Sequence, residues 1–133
     1  MNYFTELNTL LDMSYAPYSG FNVASIVVTK DNQVYKGVNV ESAAYPTTNC
    51  AERNALQTAV TEGIKVGDIK EVHTLGRNAE KLLVKAYPCG SCRQVIAEQS
   101  ANDAMVYCYA SQTDVETFSI AELLPHAFLG AEL

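Results

Sequence analysis

Two segments that carry cysteines constrain this chain more than any other feature of its sequence. Cys89 and Cys92 are separated by two residues, and Cys50 lies well upstream with Glu52 close behind it. This pattern is typical of a zinc site built from thiolates. Zinc with three protein ligands keeps a fourth position for water, and a carboxylate beside that water can move protons. We therefore expect the fold to bring the two segments together and to build a pocket over them.

Both cysteine segments lie where helices are predicted to begin, at residues 50–62 and at residues 89–98 or 90–98. The free N–H groups and the dipole of a first helical turn favour thiolates there. Three thiolates on Zn²⁺ leave a net negative charge, so a compensating cation is expected. Arg53 and Arg93 lie close to the cysteines in sequence. We hypothesise that at least Arg53 donates hydrogen bonds to a ligand sulfur.

The composition and charge narrow the range of partners. The 133 residues suffice for one core, and we expect a single domain over residues 1–133. The formal net charge is -6 and no stretch clusters lysine and arginine, so a small substrate is expected rather than nucleic acid. No apolar stretch has the length of a membrane span, and the first residues lack the pattern of a signal peptide. We therefore expect no membrane partner and a cytoplasmic location, where thiols stay reduced.

The hydrophobic pattern predicts helices interspersed with strands. Apolar residues at helical spacing predict a helix within residues 2–14, and residues 76–87 are predicted to be a connection. This order of elements is typical of an α/β fold, and we expect a three-layer α-β-α arrangement around a central mixed sheet of about five strands. The predicted strands are residues 23–28, 34–40, 69–75, 104–110 and 115–118, and a final short helix covers residues 120–125.

Other interpretations of the cysteines remain open. Cys89 and Cys92 alone are compatible with a redox dithiol, although this leaves the upstream cysteine and glutamate unexplained. A purely structural zinc site would need a fourth ligand, and Cys108 is a candidate. It lies within a predicted strand, however, where a small buried role is expected. The two histidines, His73 and His126, are not expected to be ligands.

The residues around the cysteines resemble a known family. Residues 50–53 (Cys-Ala-Glu-Arg) and 88–94 (Pro-Cys-Gly-Ser-Cys-Arg-Gln) are similar to the signature of the small, homotetrameric, zinc-dependent cytidine deaminases. The likeness extends over nearly the whole chain, because residues 15–23, 39–45 and 123–128 resemble further segments of that family. Residues 63–87 match poorly, and no role is assigned to them.

The resemblance implies hydrolytic deamination of cytidine and deoxycytidine, a homotetramer with shared active sites and one zinc ion per subunit. Glu52 would move protons between water, the cytosine ring and the departing amino group. The resemblance implies that the metal ligands are Cys50, Cys89 and Cys92 and that the catalytic residue is Glu52. The implied substrate contacts are Asn39 and Glu41 at the ribose 3′-hydroxyl, Phe21 against the nucleoside, and Tyr45 and Phe128 reaching a neighbouring subunit's pocket. The charge balance adds Arg53 as a donor to a ligand sulfur.

Two rival functions come from different classes. The first is a deaminase of the same fold that acts on another cytosine compound such as blasticidin S, a family that resembles this chain less at Glu41 and Arg53. Nucleic-acid and deoxycytidylate deaminases usually have histidine where Cys50 stands. The second rival is a non-catalytic zinc-binding or redox module, against which Glu52 argues because a structural site does not need it.

Overall fold

A mixed sheet with helices on both faces forms the framework of the chain. The computed structural model describes residues 2–133, and within them no helix has both the length and the apolar character needed to cross a membrane. The helices are α1 (Phe4–Leu10), α2 (Ala51–Thr61), α3 (Gly90–Gln99) and α4 (Ile120–Leu123), with 3₁₀ turns at Leu11–Met13 and Tyr45–Thr47. The strands are β1 (Asn22–Thr29), β2 (Val34–Val38), β3 (Ile69–Arg77), β4 (Leu83–Val84), β5 (Met105–Tyr109) and β6 (Val115–Ser119).

The strand order in the sheet is β2-β1-β3-β5-β6, and the short β4 also pairs with β3. Among the strands of the described residues, β3 and β5 pair in parallel and the other pairs are antiparallel. The predicted α/β class and mixed sheet are confirmed, with six strands in the described chain rather than about five. The additional strand, β4, lies in the predicted connection 76–87. Its two residues are too few to produce a period-2 pattern, and it exists because it pairs with Gly76 and Arg77.

Each face of the sheet has its own core, which gives the three predicted layers. Leu7 and Leu11 from the N-terminal helical segment are fully buried against one face. The other face is covered by α2 and α3, whose buried residues include Leu56 and Ile96. The layer with α2 and α3 also holds the cysteine segments, so this face determines the geometry of the candidate site.

Gly37 on β2 fixes how closely α2 approaches the sheet. A Cβ atom at this position would lie 2.4 Å from the backbone nitrogen of Ala55 and 2.6 Å from the carbonyl oxygen of Ala51. Only a residue without a side chain allows helix and strand backbones to pack this closely. The first turn of α2 is therefore held directly on the edge strand.

Candidate metal centre and substrate cavity

Three cysteine sulfurs converge where two helices begin. Cys50 is the N-cap of α2, Cys89 is the N-cap of α3, and Cys92 lies in the first turn of α3. Their Sγ atoms all lie within 4.8 Å of one another, and those of Cys50 and Cys89 are 3.8 Å apart. Zinc–sulfur bonds of about 2.3 Å in a tetrahedron place sulfurs about 3.8 Å apart, so the donor set fits one zinc ion. Among the described residues this is the single cluster of that kind.

The charge of Arg53 stabilises a thiolate in this cluster. Arg53 Nη2 donates to Cys50 Sγ at 3.3 Å. A hydrogen bond from Cys92, with further ones from Arg53 and Cys89, lowers the pKa of Cys50 to about 5. The same bond to Cys50, together with burial, raises the pKa of the Cys92 thiol. Arg93 has a different role, because it donates to the carbonyl oxygens of Pro88 and Leu123 at 2.7 and 2.9 Å.

Glu52 presents a buried carboxyl group to a cavity beside the sulfurs. It lies in the first turn of α2, and its side chain is 4% exposed. Burial raises the pKa of this carboxyl group above its ordinary value. The cavity has a volume of about 300 Å³, within the usual range for small ligands. Its lining includes Phe21, Val23, Asn39, Thr48, Cys50, Ala51, Glu52, Lys85, Ala86, Tyr87 and Cys89.

Asn39 is held rigidly in the wall of this cavity. Its Oδ1 accepts from the backbone N–H of Val23 at 2.9 Å and from Ser14 Oγ, and its Nδ2 donates to the carbonyl of Phe21 at 2.8 Å. An amide nitrogen has two N–H donors. Within residues 2–133 only one of them has a hydrogen-bond partner, so the other is free for a ligand.

Glu41 lies in the wall of a second, adjacent cavity of about 380 Å³ rather than beside Glu52. Its Oε1 accepts from the backbone N–H groups of Tyr18 and Ser19 at 2.9 and 3.1 Å, and its Oε2 accepts from Ser19 Oγ. Burial favours a higher pKa for Glu41, but these donors outweigh it and lower the pKa. Thr48 lines both cavities, so the two spaces are neighbours.

Tyr45 and Phe128 do not line the cavity that holds Glu52 in this chain. Tyr45 is 72% exposed and borders the second cavity, with its ring edge-on to Tyr18. Phe128 is 52% exposed, and its carbonyl oxygen accepts from Gln94 Nε2 at 2.6 Å. Both rings are therefore available for contacts outside the chain that carries them.

The remaining thiol and the buried histidine lie outside the metal cluster. Cys108 is fully buried on β5, and burial raises its pKa to about 11. His73 is also fully buried, with Nδ1 2.7 Å from Tyr109 Oη and Nε2 2.8 Å from Glu71 Oε1. Both nitrogens of this ring have partners within the protein.

Sequence reasoning missed Lys85 and Tyr87, which line the cavity just before Cys89. They belong to the segment for which no role was predicted. The only local signal was an aromatic residue directly before Pro88, and such a signal is not specific. Their position against the cavity depends on contacts with residues far away in sequence, as described below.

Fold and site together define an α/β protein with a three-cysteine site suited to zinc and a buried carboxyl group beside it. The family model for the "cytidine and deoxycytidylate deaminase zinc-binding region" matches residues 2–108. The chain belongs to this family.

Individual relatives agree with this assignment. A cytidine deaminase of Halalkalibacterium halodurans is 38% identical over 120 residues, which cover 90% of this chain and 86% of the relative. The crystal structure of a cytidine deaminase from Burkholderia pseudomallei has a TM-score of 0.85 at 37% identity, covering 94% of this chain and 95% of that one. A blasticidin-S deaminase of Bacillus cereus is more distant, with 29% identity over 106 residues, 78% of this chain and 74% of that protein.

Proposed function

We propose that the chain hydrolyses cytidine and deoxycytidine to uridine and deoxyuridine with release of ammonia, a reaction of pyrimidine salvage. The observation that carries the proposal is the buried Glu52 carboxyl group in the wall of the cavity that also exposes Cys50 and Cys89. Burying an ionisable group costs free energy, and neither a redox dithiol nor a closed structural zinc site needs one there. The relatives named cytidine deaminase support the same reaction.

Glu52 is proposed to carry the protons of the reaction. Cys50, Cys89 and Cys92 would hold one zinc ion, which when bound supplies positive charge that lowers the pKa of water. Glu52 accepts a proton from the attacking water while the water oxygen adds to C4 of the cytosine ring. Glu52 then passes that proton to N3. It then transfers the second proton of the water to the amino group. The bond from C4 to this nitrogen breaks, ammonia leaves, and the C4 carbonyl of uridine remains.

Residues further along the two cavities would bind the sugar. The free N–H of Asn39 Nδ2 is suited to a ribose hydroxyl, and Phe21 offers an aromatic ring for the nucleoside. A carboxylate has about four acceptor positions. Glu41 uses three of them on Tyr18 and Ser19, which leaves capacity for one hydroxyl group. The two neighbouring cavities would thus bind adjacent parts of one nucleoside.

The proposal includes a cytoplasmic homotetramer in which Tyr45 and Phe128 reach the cavity of a neighbouring subunit. The exposure of both rings supports this, because in a monomer these aromatic side chains would stay largely in contact with water. A solution mass near four times 14.5 kDa is expected. A monomer with full activity would contradict the shared site.

The test replaces Glu52 by Gln and follows zinc content together with the loss of cytidine's ultraviolet absorbance. The variant should keep its zinc and lose turnover by about 100- to 10,000-fold, because the amide cannot accept the proton. Near-normal turnover would refute the role of Glu52. Zinc-loaded wild type that deaminates blasticidin S and leaves cytidine intact would instead favour the rival deaminase.

A further inference from the structure

The four residues before Cys89 form the positioning segment, residues 85–88, which has neither helix nor strand structure. Its two side-chain anchors converge on β6. Lys85 Nζ lies 2.9 Å from Asp114 Oδ1 and 3.3 Å from Glu116 Oε1. Tyr87 Oη donates to the same Glu116 oxygen at 2.5 Å. Glu116 therefore binds two residues of the segment at once.

The backbone of the positioning segment is anchored as well. Thr74 Oγ1 on β3 donates to the carbonyl of Ala86 at 2.7 Å in a buried bond. Arg93 Nε on α3 donates to the carbonyl of Pro88 at 2.7 Å. All four residues of the segment are thus fixed by a side-chain contact with the surrounding structure.

The anchors matter because of what the segment carries. It leads directly into Cys89, which is exposed, whereas the other thiols of the metal cluster are half-buried or buried. Three of its residues, Lys85, Ala86 and Tyr87, line the cavity beside Glu52. Ordering an irregular segment costs conformational entropy, and that cost falls on ligand binding unless the segment is already ordered.

A single ion pair at a surface position contributes little, and the Glu116 side chain is 42% exposed. Glu116 differs from such a pair because the same carboxylate oxygen binds both Lys85 and Tyr87. The Lys85 side chain is 21% exposed and lies between two carboxylates. The Tyr87 ring packs edge-on against Phe118, with centroids 6.2 Å apart. Glu116 is also registered opposite Cys108 on β5, so its backbone belongs to a paired strand rather than a free loop.

We propose that Glu116 is a positioning residue for the active site. Through Lys85 and Tyr87 it holds residues 85–88 in one conformation before any ligand binds. Cys89 is then already in position for the metal, and the cavity wall is already in position for the substrate. The part concerning the metal depends only on the cysteine cluster, and the part concerning the substrate rests on the proposed function.

Two variants of the zinc-loaded protein test the proposal. Glu116→Gln removes the charge that faces Lys85, and Tyr87→Phe removes one hydroxyl and keeps the ring on Phe118. Zinc release to a chromogenic chelator should become about two- to tenfold faster in each, because Glu116→Gln weakens two charge-assisted bonds and Tyr87→Phe removes one hydrogen bond. For cytidine, KM should rise with little change in kcat, because the reacting groups are untouched.

The matched controls are at residues that line neither cavity of the site. Tyr35→Phe removes a hydrogen bond of 2.9 Å to Gln33, and Asp103→Asn removes a surface ion pair of 3.9 Å with Lys30. Both should release zinc at the wild-type rate. Unchanged release in both test variants, or equal acceleration in the controls, would overturn the positioning role. Faster release in the test variants alone, in a protein whose wild type leaves cytidine intact, would support the metal part and refute the proposed function.

Discussion

Replacing Gly37 by Ala would disturb the candidate site indirectly, because it would displace the backbone of α2. The new methyl carbon would lie 2.4 Å from the Ala55 nitrogen and 2.6 Å from the Ala51 oxygen. Real Cβ contacts essentially never fall below 3.0 Å, so the nearest contact must lengthen by 0.6 Å or more. Both clashing atoms belong to helix backbone, and no flexible side chain can move aside. The helix and strand must therefore separate.

Overpacking of this kind typically costs about 1–3 kcal/mol. The upper part of that range is expected for Gly37→Ala, about 2–3 kcal/mol of unfolding free energy, because separating α2 from the sheet also loosens the buried Leu56 and Ala59. Since Cys50 and Glu52 lie at the start of the same helix, zinc content should fall as well. Urea unfolding measures the first effect, and metal analysis of the purified protein measures the second.

Gly90→Ala is the matched control, because it makes the same chemical change at a position with open space. No heavy atom lies within 4 Å of a Cβ placed there. Gly90 is the first residue of α3 and lies between Cys89 and Cys92 in sequence. Replacing glycine by alanine where the backbone is compatible stabilises a protein by about 0.4–1 kcal/mol through the unfolded chain, so the control should be at least as stable as wild type. Wild-type stability and full zinc content in Gly37→Ala would refute the reasoning.

Further perturbations address the metal, the core and pH. Arg53→Gln should weaken zinc binding by about 10- to 100-fold in a chelator competition, because the ligand sulfur loses its charged donor. Leu7→Ala should cost about 2–5 kcal/mol in urea unfolding and leave the zinc content of the folded protein unchanged, since Leu7 is buried on the face opposite the cysteines. Stability should fall as pH drops below about 6.5, where the unfolded chain protonates histidine. Burial lowers the pKa of His73 in the folded state, so the folded protein takes up this proton only at a lower pH than the unfolded chain does. In His73→Gln the midpoint of urea unfolding should therefore change less between about pH 7 and pH 5 than in wild type.

Local patterns predicted the parts of the structure that depend on local geometry. The amphipathic spacing of Leu7 and Leu11 identified the N-terminal helical segment. The helix starts were predicted at the cysteines, and α2 and α3 begin there. A helix N-terminus is encoded within a few residues, so one sequence suffices to locate it.

Features that depend on distant contacts could not be predicted in this way. The hydrogen bond between Tyr87 and Glu116 joins residues 29 positions apart, and neither residue has a distinctive local setting. The predicted strand 34–40 extended past Asn39, and the resemblance implied that Asn39 and Glu41 contact the same ribose hydroxyl. The strand ends at Val38, and the two side chains line different cavities, although both bind residues of the segment 14–21. Where a strand stops depends on its neighbours in the sheet, which periodicity alone does not identify.

The convergence of the cysteines follows from strand direction. β2 and β3 are each antiparallel to β1, so they run in the same direction, and β5 is parallel to β3. The C-terminal ends of β2 and β3 therefore lie on the same side of the sheet, at the same end of its strands. It enters α2 at Cys50 after β2 and α3 at Cys89 after β3 and the short β4. Because both helices pack on one face, their first turns lie side by side. The sulfur atoms of two N-cap residues 39 positions apart are thus brought to 3.8 Å, and Glu52 lines the cavity beside them.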